Sequence, residues 1–249
     1  MYGATTTEKQ TPSSTSQKAD LVDANHILFD QGVLDAFGHV SVRSAHDPER
    51  FLLSRNLAPA LVGEGDIVEF DLDGESSDSR PAYLERFIHS EIYRALPDVF
   101  AVVHSHSPAV VPFSVVDLPL RAVMHMAGFL ARPTPVFEIR DILGSESDLL
   151  IRHSRSGHAL ATSLGHAPVI LMRGHGSVAV GSSLKNAVYR AVYTEINAKT
   201  QADALRLGAC TYLTDEEGAA TEKTMDSQLE RAWGLWRLKA VETVAFAHQ

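Results

Sequence analysis

His104, Ser105 and His106 place two imidazoles two residues apart, directly after the apolar run at residues 100–103. That run reads as a buried strand, and residues i and i+2 of a strand share a face. Both rings can therefore reach one ion, a geometry that suits zinc, manganese or iron(II). HxH alone is a weak signal in a chain of 12 histidines. His175 adds a third imidazole, in Arg173-Gly174-His175-Gly176 at the end of a second apolar run. The glycines on either side let the backbone turn sharply and approach other groups, although an exposed turn histidine has the same local pattern. Glu85 opens the helix that precedes the HxH strand. Elements consecutive in sequence tend to pack side by side, so its carboxylate comes within reach of the metal if the connection folds back. The bland alternative is a first-turn glutamate complementing the helix dipole.

The elements that must hold these groups follow from periodicity and punctuation. Apolar spacing predicts a helix over residues 20–34, with Gly32 at or near its end. Residues 38–43, 50–54 and 66–74 read as strands, the last closing on an Asp73-Gly74 turn. A helix fits residues 84–96, stopped by Pro97, and residues 101–104 form the HxH strand. Residues 118–137, rich in proline and glycine, read as loop with short strands. A helix is expected over 145–164, between Ser145 as N-cap and Gly165 as C-cap. Residues 168–176 form a buried strand running into a glycine-rich turn, and residues 177–181 its partner. Ser182 or Ser183 caps a long helix to about Leu207, and another spans 225–245. Strands with helices between and around them indicate an α/β or α+β domain.

The chain has 249 residues, 45% of them hydrophobic, enough for a substantial core in one domain. Residues 1–18 are nearly devoid of apolar side chains and read as a disordered tail, leaving 19–249 as the domain. The net charge of -9 argues against nucleic acid or an anionic membrane as partner. Cys210 is the only cysteine, so neither an intrachain disulfide nor a cysteine zinc cluster can form, and any metal must use histidine and carboxylate. No apolar run approaches the ~18 residues of a membrane span, and the start lacks a secretory h-region; a cytoplasmic protein is expected.

Taken in order, these blocks resemble the class II aldolase/adducin family over roughly residues 20–207. GHVSVR is similar to that family's glycine-asparagine-valine-serine-valine strand. ERFIHSEIYRALPDVFAVVHSHS matches its glutamate-helix-strand-HxH block, and MRGHGSVAVG with the long helix after it matches the third-histidine block. The resemblance implies an α/β fold, a single domain around a mostly antiparallel sheet flanked by helices. It implies a divalent metal, Zn²⁺ or Mn²⁺ with Fe²⁺ not excluded, on His104, His106 and His175. It places Glu85 beside the metal, as fourth ligand or as proton shuttle. It implies a homotetramer with active sites at subunit interfaces.

The departures from the family pattern bear on the substrate. Sugar-phosphate aldolases of this family carry a serine pair before the glutamate; here those positions are Tyr83 and Leu84. His39 replaces the asparagine of the first block, and Ser54-Arg55 replaces a threonine-glycine that cradles phosphate. His125 stands where the aldolases have a catalytic tyrosine. Three phosphate-gripping elements are thus altered together. The segments HSHSPAVVPF, HMAGFL, PVFEIRD and MRGHG resemble instead a subgroup that decarboxylates hydroxylated aromatic or pyridine carboxylates, of the 3-hydroxy-2-methylpyridine-4,5-dicarboxylate decarboxylase type.

The expected function is therefore that of a metal-dependent lyase removing CO₂ from a hydroxylated aromatic or heteroaromatic acid. The metal would stabilise the developing enolate or phenolate as a Lewis acid, with Glu85 or His125 as general acid. Arg55 is expected to pair with a substrate carboxylate, and Ser54, His39 and Tyr193 to contribute to the substrate pocket. Tyr193 lies on the helix after His175, where packing is the competing assignment. His89, His153, His158 and His166 show no partner pattern and read as structural or exposed. The rivals are an aldolase acting on a hydroxy-carbonyl substrate, a non-catalytic interaction module of the adducin kind, and iron(II) oxygen chemistry at the same triad. A non-catalytic module has no need of three histidines and a glutamate in this order.

Overall fold

The computed structural model describes residues 14–247, and the first 13 positions of the expected tail lie outside the described residues. Helix α1 spans Ser14–Asp30, so residues 14–18 belong to it and not to a tail. It ends four residues before the expected boundary. Gly32 follows at φ +68, and the N–H groups of Val33 and Leu34 both return to the Leu28 carbonyl. Three antiparallel strands come next: β1 (His39–Arg43), β2 (Arg50–Ser54) and β3 (Ile67–Asp71). Asp71 closes the turn after β3 by accepting the N–H groups of Asp73 and Glu75 on its side chain.

Helix α2 (Arg86–Ala95) starts at Glu85 as N-cap and leads into β4 (Ala101–Ser105). Short 3₁₀ turns at Val111–Ser114 and His125–Leu130 precede the two-residue strand β5 (Val136–Phe137). After the one-turn helix α3 (Arg140–Leu143), the helix expected over 145–164 forms only in its second half, as α4 (Ser154–Leu164). The first half of that expectation fails because side chains there satisfy nearby backbone. Ser147 Oγ accepts from the Leu149 N–H and Asp148 Oδ1 from the Leu150 N–H, and Leu149 sits at φ +69.

Strands β6 (Val169–Met172) and β7 (Gly176–Gly181) form a hairpin through the Gly174 turn. Helix α5 (Leu184–Leu207) is capped by Ser183, whose Oγ accepts the Asn186 N–H at 3.1 Å. The helix expected over 225–245 is α7 (Leu229–Ala247), and before it lies an unexpected helix, α6 (Asp215–Asp226), opened by a Thr214/Glu217 capping box.

The seven strands make one sheet in the order β3-β2-β1-β4-β7-β6-β5, antiparallel except for the parallel β5–β6 pair. The mostly antiparallel sheet flanked by helices is the fold expected. Alternation along the strands divides the core in two. Val40, Val42, Ala101, Val103 and Ala179 meet α1, α5 and α7 on one face. Phe51, Leu53, Val102, Ile170 and Val178 meet α2 and α4 on the other. None of the helices of the described residues is long and apolar enough to cross a membrane.

Candidate metal centre

His104 belongs to the strand parity of Val102, so its ring points to the α2/α4 face and is fully buried. His106 lies just past the end of β4, and His175 sits in the β6–β7 turn that the β4–β7 pairing brings alongside. Close backbone approach makes this possible. A Cβ on Gly176 would stand 2.2 Å from the Ser105 carbonyl oxygen and 3.2 Å from His106 Cδ2. Gly176→Ala is therefore expected to cost about 1–3 kcal/mol and to lower metal occupancy together with the unfolding midpoint; unchanged values of both would contradict this packing.

The three Nε2 atoms converge: His104 to His106 is 3.1 Å and His106 to His175 is 3.0 Å. Glu85 Oε2 stands 3.5 Å from the Nε2 of both His104 and His175. One ligand atom from each of the four residues falls within 4.8 Å of the others. The far sides of the rings select the tautomer. His104 Nδ1 faces the Ser177 carbonyl at 3.1 Å, and His175 Nδ1 faces the Leu149 carbonyl at 3.0 Å. A carbonyl only accepts, so each Nδ1 carries the proton and each Nε2 keeps its lone pair for the centre. Converging lone pairs beside a carboxylate are the donor set of a divalent cation, and the residues fit one.

Glu85 is held by its second oxygen, which accepts the Ile151 N–H at 2.9 Å. Burial alone would raise its carboxyl, but in the metal-free cluster protonated Nε2 atoms of His104 and His175 outweigh that and hold it well below the usual carboxylate range; a bound cation would take the place of those protons. Burial, reinforced by His104 and His175, depresses His106 to about 4. A neutral His106 and an ionised Glu85 are protonation states that bind metal.

Behind His104 lies a buried polar chain. His39 Nδ1 meets His89 Nε2 at 2.6 Å, His89 Nδ1 meets Ser41 Oγ at 2.6 Å, and Ser41 Oγ meets Tyr93 Oη at 2.8 Å. His39 is the β-sheet partner of His104, and their rings are 5.1 Å apart. Burial lowers His39 well below its ordinary range and His89 to about 3 from 6.5. A folded-state value below the unfolded one means the neutral form stabilises the fold. That contribution is complete above pH 6.5 and is lost as the pH falls toward 3. At pH 5 the loss from His89 alone is about 2 kcal/mol. Denaturant unfolding of chelator-treated protein at pH 7.5 and pH 5 should show it, and His89→Gln should flatten the difference. Equal pH sensitivity in that variant would rule out His89 as its source.

The other expected site residues divide. Ser54 is buried beside Tyr83, with Oγ and Oη 3.1 Å apart. Arg55 is not a free cation: its Nε donates to Asp66 Oδ1 at 2.7 Å. His125 is exposed at the start of its 3₁₀ turn, and no contact joins it to the glutamate–histidine cluster among the described residues. Tyr193 is corrected by the topology. It lies on α5, its ring tilted against Tyr189 at 4.5 Å and 6.1 Å from Trp236, on the sheet face opposite His104.

Sequence reasoning missed Tyr83, His89 and the backbone groups of Leu149 and Ile151. One signal was available: Glu85, His89 and Tyr93 recur at four-residue steps, which places them on one helix face.

Residues 19–202 match the family description "Class II Aldolase and Adducin N-terminal domain". A decarboxylase, tropJ, of Talaromyces stipitatus is 39% identical over 244 residues, covering 88% of this chain and 91% of its own length. The 3,4-dihydroxyphthalate decarboxylase of Arthrobacter keyseri is 30% identical over 183 residues, covering 68% of this chain and 71% of its own. The crystal structure of an aldolase II superfamily protein from Pseudomonas syringae superposes with a TM-score of 0.77 at 20% identity, over 95% of this chain and 96% of that one. This last likeness concerns the fold alone.

Proposed function

The chain belongs to the class II aldolase and adducin family, and from that premise we propose that it decarboxylates a hydroxylated aromatic or heteroaromatic carboxylic acid with a divalent metal on His104, His106 and His175. The observation that carries the proposal is the convergence of three imidazole Nε2 atoms beside Glu85, in a chain similar along 88% of its length to a decarboxylase. The enzyme is a carbon–carbon lyase; zinc or manganese is the metal inferred.

A divalent metal, when bound, would polarise neighbouring oxygens of the substrate and stabilise negative charge as the C–C bond breaks. The chain's own residues do the rest. Glu85, ionised at rest, takes the proton of the substrate hydroxyl on Oε2 while the Ile151 N–H fixes Oε1. The same atom then delivers that proton to the ring carbon bearing the carboxylate. Cleavage sends the bonding electrons back toward the ring oxygen and releases CO₂, so one proton from solvent is consumed per turnover. His104 and His175 stay oriented by the carbonyls of Ser177 and Leu149. Glu85 stands beside the histidines and His125 does not, which favours Glu85 as the acid.

We further infer a cytoplasmic homotetramer with sites at its interfaces. The support is the resemblance to the family, together with the exposed His125 and the outward-facing Phe37, Leu84, Val115 and Val116. In that assembly His125 would serve a neighbour's site. The test of the function is a mass-spectrometric screen of metal-replete protein against hydroxyaryl carboxylates, pyridine carboxylates and sugar phosphates. Chelator-sensitive loss of CO₂ from an aromatic acid is the expected result. Cleavage of a sugar phosphate into two carbonyl fragments would install the aldolase reading in its place.

A further inference from the structure

Helix α7 is tied to the rest of the chain along one side only. Trp233, Trp236, Ala240 and Val244 are buried. The polar groups flanking them are matched: Lys185 Nζ lies 2.7 Å from both Glu230 oxygens, Arg237 Nε lies 2.7 Å from Asp23 Oδ2, and Thr243 Oγ1 donates to Asp30 at 2.6 Å. The opposite side is bare. Arg231, Leu235, Leu238 and Glu242 are all exposed, the two leucines at 53% and 64%. Steps of four, three and four residues bring these four side chains within about 60° of one another around the helix, diametrically across from the buried face. Among the described residues, no ion pair engages the side chain of Arg231 or Glu242.

We propose that this stripe is the docking surface for a second copy of the chain, the two α7 helices packing antiparallel about a two-fold axis. The order of the residues identifies the occupant. With the axis midway between Leu235 and Leu238, antiparallel pairing sets Leu235 against the partner's Leu238. The same axis sets Arg231 against the partner's Glu242. The contact is then self-complementary, with four leucines at its centre and an ion pair at each end. A parallel pair would instead oppose like charges at both ends, which repels. The four-three-four spacing is the repeat by which two helices keep one seam facing each other. The seam is about 18 Å long, at the small end for a specific interface, so association through it depends on concentration. Helix α7 packs with α1 and α5 on the sheet face away from the His104 ring, which keeps this contact separate from the metal centre.

The test is the particle mass of the full chain by sedimentation over a wide range of concentration. Leu238→Glu should halve the mass reached by wild type and leave the far-ultraviolet circular dichroism unchanged, because position 238 is exposed. Arg231→Glu and Glu242→Arg should each raise the dissociation constant of the contact by about 10-fold, since each sets like charges against one another at both ends. Mixed in equal amounts, those two variants should associate within about 3-fold of wild type, because the pairing of one with the other restores both ion pairs. Equal masses for wild type and Leu238→Glu would give the stripe to another occupant and overturn the proposal. A mixture that associates no better than its two components would overturn the antiparallel pairing, and the proposal with it.

Discussion

Glu85→Gln is expected to fold, to keep its metal, and to lose about 10²- to 10⁴-fold in kcat. Glutamine has the same shape, and its side-chain oxygen can still accept the Ile151 N–H that Glu85 accepts at 2.9 Å. What it cannot do is carry the negative charge that His104 and His175 hold in place, or take and return a proton. Metal analysis and turnover, measured together, separate the two roles open to this carboxylate. Metal retained with turnover lost assigns Glu85 to proton transfer; metal and turnover lost in parallel assign it to the ligand set. An unimpaired rate would remove Glu85 from the mechanism.

His104→Ala should lower metal affinity by more than the roughly 10- to 100-fold that loss of a residue merely supporting a ligand brings. The three Nε2 atoms converge within 3.1 Å along the chain His104–His106–His175. Removing His104 deletes the one of the three that is fully buried. Activity should fall to the level of chelator-treated wild type and, at stoichiometric metal, stay there. Metal content after dialysis is the direct readout. Full occupancy with wild-type turnover would sink the site.

The ligand pair was legible because strand periodicity is a backbone property that sequence reports directly: two residues apart on an apolar run means one face. His175 was legible through its glycines, and Gly176 proves to be needed where β7 meets Ser105. The groups that orient the site were not. Leu149 and Ile151 contribute a carbonyl and an N–H, and backbone groups leave no mark in residue type. Their segment looks helical by apolar spacing, yet Ser147 and Asp148 divert it into an irregular loop. Arg55 reads as a substrate cation until Asp66, 11 residues away, is seen to pair with it. Tyr193 illustrates the converse. Its helix follows the third histidine in sequence, but the sheet lies between them. Helix α6 carried its signal in the Thr214-x-x-Glu217 capping box, and its low apolar content hid it. That content is low because α6 packs through small residues: a Cβ on Gly218 would stand 2.4 Å from the Ala131 Cβ.

The most direct test follows carbon rather than binding. Apoprotein would be titrated with zinc or manganese and given a hydroxyaryl acid labelled with ¹³C at its carboxylate. Metal-dependent decarboxylation predicts ¹³CO₂ released one-for-one with the decarboxylated arene, at a rate that rises linearly to one metal per chain and is abolished by chelator. Labelled CO₂ released at full rate by the metal-free protein would contradict it.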